Sequence, residues 1–282
     1  KEALIIDGRR FMNPVTHNSY SFEFPVQYNN LTEDLPKLNV TYRVIGTQKL
    51  LTTEVFPYRE FDKNYFEPDF IRGSYNIDSF SFLDWDEANN EVHFKKGDWQ
   101  ISSDLIVPPN QTLIIPQGVS IDLINSAMIL SYSPVLIVGS EEDFIEIYSS
   151  DNSGQGISLL NTKKDSLIKY VRFNGLSRPY KSGFELSGSV NFYQSPIHFY
   201  EAHFEGNLIG DDYVNIIRSD FSINNSSISN SFSDAIDIDF SNGLIYDSVF
   251  SNCGFGNNNG DCVDLSGSIV NIENIIVNTA AD

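Results

Sequence analysis

The 282-residue sequence contains only two cysteines, Cys253 and Cys262. Two cysteines are too few for the disulfide framework of a small secreted domain. They flank the Gly- and Asn-rich segment 254–260, which a disulfide between them would close into a loop. Two free thiols are the alternative, and both interpretations stay open on sequence alone.

Basic residues are scarce, because 18 Lys and Arg stand against 38 Asp and Glu, giving a net charge of −20. Nucleic acids and anionic membrane surfaces are bound through clustered Lys and Arg, so the composition argues against both partners. Such an excess of acid is typical of a protein kept soluble in a salty or extracellular setting. Calcium coordination by outward-facing carboxylates is the alternative reason for it. We expect an extracellular or cell-surface location.

Long hydrophobic runs and helical periodicity are also missing. Apolar runs such as 135–138 are far shorter than the ~20 residues that span a bilayer, so no membrane span is expected. No segment repeats its apolar residues at a helical period for three turns, which excludes an α-solenoid. The chain has no signal peptide, begins at Lys1 without Met and stops at Asp282. We interpret it as a fragment or a processed segment of a longer protein.

The sequence does contain a repeat, because segment 234–239 (DAIDID) returns as 261–266 (DCVDLS). Both segments read Asp, variable, apolar, Asp, apolar, polar. Further copies of the first position recur at intervals of roughly 20 to 30 residues. These positions are Ser126, Gln155, Ser182, Asp212, Asp234, Asp261 and Asp282.

Short apolar strands punctuated by Pro, Gly, Asn and Ser fill this region. With the repeat, they predict an all-β fold, a right-handed parallel β-helix of about seven coils. Coils stack at ~4.8 Å, so residues one coil apart form columns. The predicted inward columns are Ile157, Phe184, Val214, Ile236 and Val263, and Leu159, Leu186, Ile216, Ile238 and Leu265. Segments 186–190 (LSGSV) and 265–269 (LSGSI) predict the same corner on two coils.

Residues 1–98 show no repeat, and we predict a β-rich N-terminal capping region there, followed by the β-helix at 99–282. Segments 39–46 and 50–56 predict a hairpin. An acidic stretch rich in aromatic residues follows. These aromatics either cover the first coil, since a solenoid needs a cap, or form a carbohydrate-binding surface. They are Tyr58, Phe61, Tyr65, Phe66, Phe70, Tyr75, Phe80, Phe82 and Trp85.

In the predicted alignment Asp237 and Asp264 point outward from adjacent coils. Like charges opposite each other destabilise a sheet, so a cation, a basic side chain or raised pKa values should compensate. After Lys181, Arg218 is the only basic residue of the sequence. Asp237, Asp264 and Asp239 are therefore the candidate metal ligands, with calcium as the ion.

Residues 100–282 resemble the right-handed parallel β-helix of the pectin-lyase-like superfamily. Within it, 233–237 (SDAID) and 260–263 (GDCV) are similar to two motifs of polygalacturonase-type glycoside hydrolases. Those motifs are Asn-Thr-Asp followed by Gly-Ile-Asp, and Asp-Asp-Cys-Ile. The resemblance implies that Asp234 and Asp261 are acid/base carboxylates, although Gly260 replaces a family Asp. A structural role is the alternative, since Asp often bonds turn amides.

The chain also resembles the β-helix regions of large bacterial surface proteins that accompany spore-coat-kinase-like (CotH-type) domains, through 127–134, 233–237 and 265–268. That group has no assigned β-helix chemistry. We therefore expect an extracellular, surface-associated structural or carbohydrate-binding module. One alternative is a polysaccharide hydrolase or lyase using Asp234 and Asp261. The other is a self-assembling filament or surface-layer subunit, stacked through its open last coil.

Overall fold

The computed structural model describes residues 38–43, 46–55, 74–181, 183–256 and 259–281. The chain forms two compact units, 1–61 and 62–282. In the first, β1 (Leu38–Arg43) pairs antiparallel with β2 (Leu50–Val55), as the predicted hairpin requires. Most of the predicted capping region before residue 74 lies outside the described residues, and that region stays a prediction. Within the described ranges, no helix has the length and hydrophobicity that crossing a bilayer requires.

The first described residues of the second unit, 74–94, cover one end of the solenoid, and we call them the head. A 3-10 turn (Ile77–Ser79) precedes β3 (Leu83–Asp86), which pairs antiparallel with β4 (Glu91–Phe94). The buried Phe82 ring stacks on Phe94 and Trp99, at centroid distances of 5.2 and 5.3 Å. Covering the first coil is therefore what Phe82 does. The predicted aromatics from Tyr58 to Phe70 lie outside the described residues.

From β4 onward the chain winds into a parallel β-solenoid of about eight turns, which confirms the predicted all-β parallel solenoid. Its right-handedness stays a prediction. Each turn runs through three faces. Starting from β4, the chain passes along face B, then face C, then face A. Face A consists of β6 (Leu105–Val107), β9 (Ile129–Ser131), β12 (Ile157–Leu160), β16 (Gly188–Tyr193), β18 (Asp212–Ile217), β21 (Asp234–Asp239) and β24 (Asp264–Ser266).

Faces B and C are joined by two long strands that bend in the middle, β13 (Ser166–Asn174) and β17 (Ile197–Glu205). Face B contains their first halves with β4, β7 (Thr112–Pro116), β10 (Val135–Val138), β19 (Asp220–Asn224), β22 (Asn242–Tyr246) and β25 (Ile269–Glu273). Face C contains their second halves with β5 (Gly97–Ile101), β8 (Val119–Leu123), β11 (Ile145–Tyr148), β20 (Ser227–Ser229), β23 (Val249–Cys253) and β26 (Ile276–Ala280).

The inward columns of face A follow the predicted alignment except in one turn. The pairs run Ile157, Val190, Val214, Ile236 in one column and Leu159, Phe192, Ile216, Ile238, Leu265 in the next. Ile236 is fully buried, and the half-buried Val263 packs against the same core. The predicted places of Phe184 and Leu186 are wrong, because Val190 and Phe192 occupy them.

The reason is an insertion. A short antiparallel hairpin, β14 (Tyr180–Lys181) and β15 (Phe184–Glu185), interrupts that turn between faces C and A. Phe184 packs outside the solenoid, on Ile106, Met128 and Leu130. Ser182 lies outside the described residues, and Gly188 takes the aligned position opposite Asp212. The shared corner predicted for LSGSV and LSGSI is wrong too, since Gly188 opens a strand whereas Gly267 follows one.

After β12, the bends from face A to B and from face B to C are each made at a single residue in the left-handed conformation. Between faces A and B these residues have φ from 48° to 64° and are Asn161, Gln194, Arg218, Phe240 and Gly267. Between faces B and C they are Tyr170, Glu201, Asn225, Asp247 and Asn274. Asn tolerates this conformation better than most residues, which gives the many asparagines of the sequence a structural reason.

Hydroxyl groups connect the turns beneath the A–B bends. The backbone N–H of Ser195 donates to Ser219 Oγ over 2.8 Å, and that of Ser219 donates to Ser241 Oγ over 3.0 Å. Thr162 begins this column and Ser268 ends it. Because a buried amide without a partner is costly, the column provides partners that the tightly bent backbone lacks.

Cys253 and Cys262 form a disulfide with a Cα–Cα distance of 5.2 Å. Both cysteines are buried. The bond closes the loop between faces C and A near the end of the solenoid, so of the two sequence interpretations the disulfide is the one the structure shows.

Candidate functional site

Carboxylates gather on the outer surface of face A. Asp212 pairs with Asp234, Asn215 with Asp237, and Asp237 with Asp264, so the predicted pairing of Asp237 with Asp264 is confirmed. The outward column changes character along the solenoid, from apolar through amide to carboxylate. Its members are Ile106, Leu130, Ser158, Asn191, Asn215, Asp237 and Asp264.

Asn215 connects two of these carboxylates. Its Nδ2 donates to Asp212 Oδ2 and to Asp237 Oδ2, over 3.0 Å each. Both oxygens lie 3.0 Å from one nitrogen and so are at most about 6 Å apart, an upper limit that reaches only the lower part of the roughly 5–9.5 Å seen for glycosidase carboxyl pairs. Asp212 is only 1% exposed. One amide therefore connects a buried carboxyl group with a half-buried one.

Burial and mutual repulsion raise the pKa values of this group. Desolvation raises the pKa of Asp212 to about 8, and the charges of Asp237, Asp211 and Asp234 act in the same direction. Desolvation, followed by the charges of Asp239 and Asp264, raises the pKa of Asp237 to about 7. The sequence led us to expect that a cation, a basic side chain or raised pKa values would offset the repulsion between stacked carboxylates. The raised pKa values are one of these three.

Asp234 has a visible structural task. Its Oδ1 accepts a hydrogen bond of 2.7 Å from the backbone N–H of Asp261, so it holds the start of the next turn. Burial raises the pKa of Asp234, although this hydrogen bond opposes the shift. Asp261 itself is exposed. The structure brings the two residues together, while the acid/base role assigned to them from the resemblance stays a prediction.

Sequence reasoning missed the partnership of Asp212 with Asn215. A signal for it was present, because 212–215 (DYVN) repeats the pattern of 234–237 (DAID) and 261–264 (DCVD). Segment 188–191 (GSVN) fits the same pattern at its last two positions and marks Asn191 as an earlier member. The repeat was aligned by its Asp residues alone. Asn191 and Asn215 were therefore overlooked, although the Asn side chain has the same shape as Asp without the charge.

The candidate metal ligands are Asp237, Asp264 and Asp239. Their carboxylate oxygens are the donor type that Ca²⁺ prefers. Across the part of the chain that the structure describes, however, no group of three or more His, Cys, Asp or Glu side chains is placed to hold a metal ion. The calcium assignment therefore stays a prediction.

An open depression lies beside the carboxylate column. The backbone N–H groups of Asp211 and Asp212 donate to the carbonyl oxygen of the lining residue Ser187, over 3.1 and 3.3 Å. Part of the lining comes from the inserted hairpin and the residues next to it, and the rest comes from the next two turns. The lining residues are Arg178, Glu185, Leu186, Ser187, Ile209, Gly210, Asp211 and Phe232. The depression therefore reaches the surface beside Asp211, whereas Asp212 is buried and does not line it.

A second concavity, which we call the Tyr132 cleft, lies at the A–B bends of the first turns. Tyr75 and Tyr132 meet edge to face there, with ring centroids 6.1 Å apart. Trp85 lies at the edge, its Nε1 donating to Gln111 Oε1 over 3.2 Å. The lining residues are Tyr75, Asn89, Asn90, Pro109, Asn110, Gln111, Thr112, Tyr132, Pro134, Leu160, Asn161, Lys163 and Lys164.

The fold and these surfaces define the class of the molecule, an all-β protein built as a parallel β-solenoid. No protein-family model matches the chain, and neither curated proteins nor solved structures match it.

Proposed function

We propose that the chain is an extracellular, surface-associated β-solenoid that binds carbohydrate in the Tyr132 cleft. The observation that carries this proposal is the meeting of the Tyr75 and Tyr132 rings with five side-chain amides in one concavity. Aromatic rings combine a large apolar surface with a polar handle, so they suit the apolar faces of sugar rings. Amides both donate and accept hydrogen bonds, which matches sugar hydroxyls.

The location and the relationships belong to the same proposal. The acidic composition supports an extracellular setting, the resemblance to pectin-lyase-like β-helices supports carbohydrate as the ligand, and the resemblance to CotH-associated β-helices supports a bacterial surface. Tyr75 and Trp85 support it as well, because they are 52% and 47% exposed whereas Phe82 from the same stretch is buried. The aromatic stretch therefore has two roles: Phe82 covers the first coil, and Tyr75 lines the cleft.

The test is a glycan array followed by calorimetric titration of the oligosaccharides that bind. Tyr75→Ala should weaken binding about tenfold, as expected for an aromatic anchor in a recognition site. Tyr180→Ala is the matched control, because Tyr180 is 66% exposed and lies on the inserted hairpin. No binding to any glycan, or equal binding by both variants, would overturn the proposal.

A second candidate function is polysaccharide cleavage on face A. The observation that favours it is the pair of carboxyl groups held by Asn215, with pKa values raised to about 8 and 7. A carboxyl that stays protonated near neutral pH can act as a general acid. Sugar release from oligouronides, abolished by Asp237→Asn and by Asp234→Asn, would support this function. Release that survives Asp237→Asn would place the chemistry elsewhere.

Self-association is favoured by the last described turn. Its inward side chains Leu265, Ile272 and Val277 are 40–50% exposed, whereas their partners one turn earlier are buried. Among the described residues, β24, β25 and β26 pair with other strands on one side only, and open strand edges invite pairing with another chain. Light scattering at rising concentration tests this, and a strict monomer would contradict it.

A further inference from the structure

We propose that the glycan of the Tyr132 cleft is anionic, and that Lys163 and Lys164 bind its carboxylate, sulfate or phosphate groups. This inference rests on the proposed carbohydrate-binding function and adds the chemical class of the ligand.

The charge of the Tyr132 cleft differs from that of the chain as a whole. The chain carries a net charge of −20, so an average surface patch repels anions. The described residues that line the cleft nevertheless include no Asp or Glu and do include two adjacent lysines. A concave site of one charge sign concentrates ligands of the opposite sign. The described lining of the cleft is thus cationic, on a chain whose net charge is negative.

Lys163 and Lys164 also differ from most other basic residues of the solenoid in their contacts. Most basic side chains of the solenoid are engaged, with carboxylates or over aromatic rings, namely Lys95, Lys169, Arg172, Arg178, Lys181 and Arg218. Lys163 and Lys164 are exposed, and neither forms an ion pair with any described residue. In a chain with more than twice as many acidic as basic residues, two unpaired neighbours at one cleft are unexpected for a purely structural role.

Hydrogen bonds hold the backbone that carries the two lysines. Asn161 makes the left-handed bend with φ 56°. The backbone N–H of Thr162 is fixed to Ser195 Oγ over 3.2 Å, and Thr162 Oγ1 donates to Lys164 O over 3.3 Å. The backbone that carries both ammonium groups is therefore anchored to the next turn. A preorganised backbone lowers the ordering cost of binding.

The experiment is calorimetric titration of the intact chain with size-matched oligosaccharides that are neutral, uronate-containing, sulfated or phosphorylated. At low salt the anionic ligands should bind at least about tenfold more tightly than the neutral one, as two exposed ion pairs allow. That advantage should shrink as salt rises toward 1 M, because screening weakens exposed charge pairs. The anionic arm with the highest affinity identifies the group.

The variant Lys163→Gln/Lys164→Gln should lose the preference for anionic ligands while keeping the binding of the neutral ligand. Lys49→Gln/Lys96→Gln is the control, since it removes the same charge from exposed positions outside the cleft. Equal affinity for neutral and anionic ligands, or an unchanged preference in the cleft variant, would overturn the inference and leave carbohydrate binding intact. Failure of all ligands to bind would instead overturn the proposed function with it.

Discussion

The backbone N–H of Ser219 donates a 3.0 Å hydrogen bond to Ser241 Oγ one turn later. Ser219 Oγ in turn accepts from the N–H of Ser195 on the preceding turn. We expect Ser219→Ala to lower the free energy of unfolding by about 1–3 kcal/mol, because the buried Ser195 N–H loses its partner. Urea unfolding measures this. Ser103→Ala, at an exposed serine, should change stability by less than about 0.5 kcal/mol, and an equal loss in both variants would contradict the role of the column.

Stability should fall as the pH rises from about 4 to 8. The pKa of Asp212 is about 8 in the folded chain against 3.8 for the free side chain, so within this window the folded state binds a proton that the unfolded state has lost. The stabilising contribution is complete below pH 3.8 and declines as pH approaches 8, at roughly 1.4 kcal/mol per unit.

Asp212→Asn should therefore raise the melting temperature at pH 8 more than at pH 5. The amide oxygen can still accept from Asn215, so the hydrogen bond survives. Thermal unfolding followed by circular dichroism at both pH values checks this, with the exposed Asp220→Asn as the control. A variant less stable than the parent at pH 8 would show that the buried carboxyl is ionised and needed.

The double substitution Cys253→Ser/Cys262→Ser should cost about 2–3 kcal/mol, the value expected when a short loop is no longer closed in the unfolded chain. Dithiothreitol should lower the melting temperature of the parent to that of the variant and leave the variant unchanged. If the reducing agent shifts neither protein, the disulfide contributes nothing to stability.

Two glycines with the same backbone conformation should respond differently to alanine. Gly206 has φ 60° with open space around it, so Gly206→Ala should cost only about 1–2 kcal/mol for the left-handed conformation. Gly156 has φ 68°, but a Cβ there would lie 1.9 Å from Ser189 O on the next turn. Gly156→Ala should therefore lose more than about 4 kcal/mol or all soluble protein. Similar costs would mean that the turns can separate locally at no penalty.

The solenoid was predictable because apolar residues recur at the same position of successive turns. Ile157, Val214 and Ile236 lie in one such column. The inserted hairpin was not, because Phe184 and Leu186 have the same apolar alternation as a core strand. Only the structure shows that Phe184 packs outside, on Met128 and Leu130. Periodicity predicts that a side chain is buried, but it does not tell whether the side chain packs inside the solenoid or against its outer surface.

Of the candidate sites, too, one could be predicted from the sequence and the other could not. Asp237 and Asp264 could be paired from sequence because they lie at one position of a repeated motif. The Tyr132 cleft could not be assembled, since Tyr75, Gln111, Tyr132 and Lys163 come from bends of different turns and share no local motif. Long-range proximity of this kind follows from the winding itself.

Because one left-handed residue makes each bend from face A to B and from face B to C after β12, these turns are units that can be repeated. A gene duplication that copies such a turn would lengthen the solenoid by one layer, ~4.8 Å, and add a new set of inward side chains to the existing columns. We therefore expect the number of layers to change more readily in evolution than the residues within a layer.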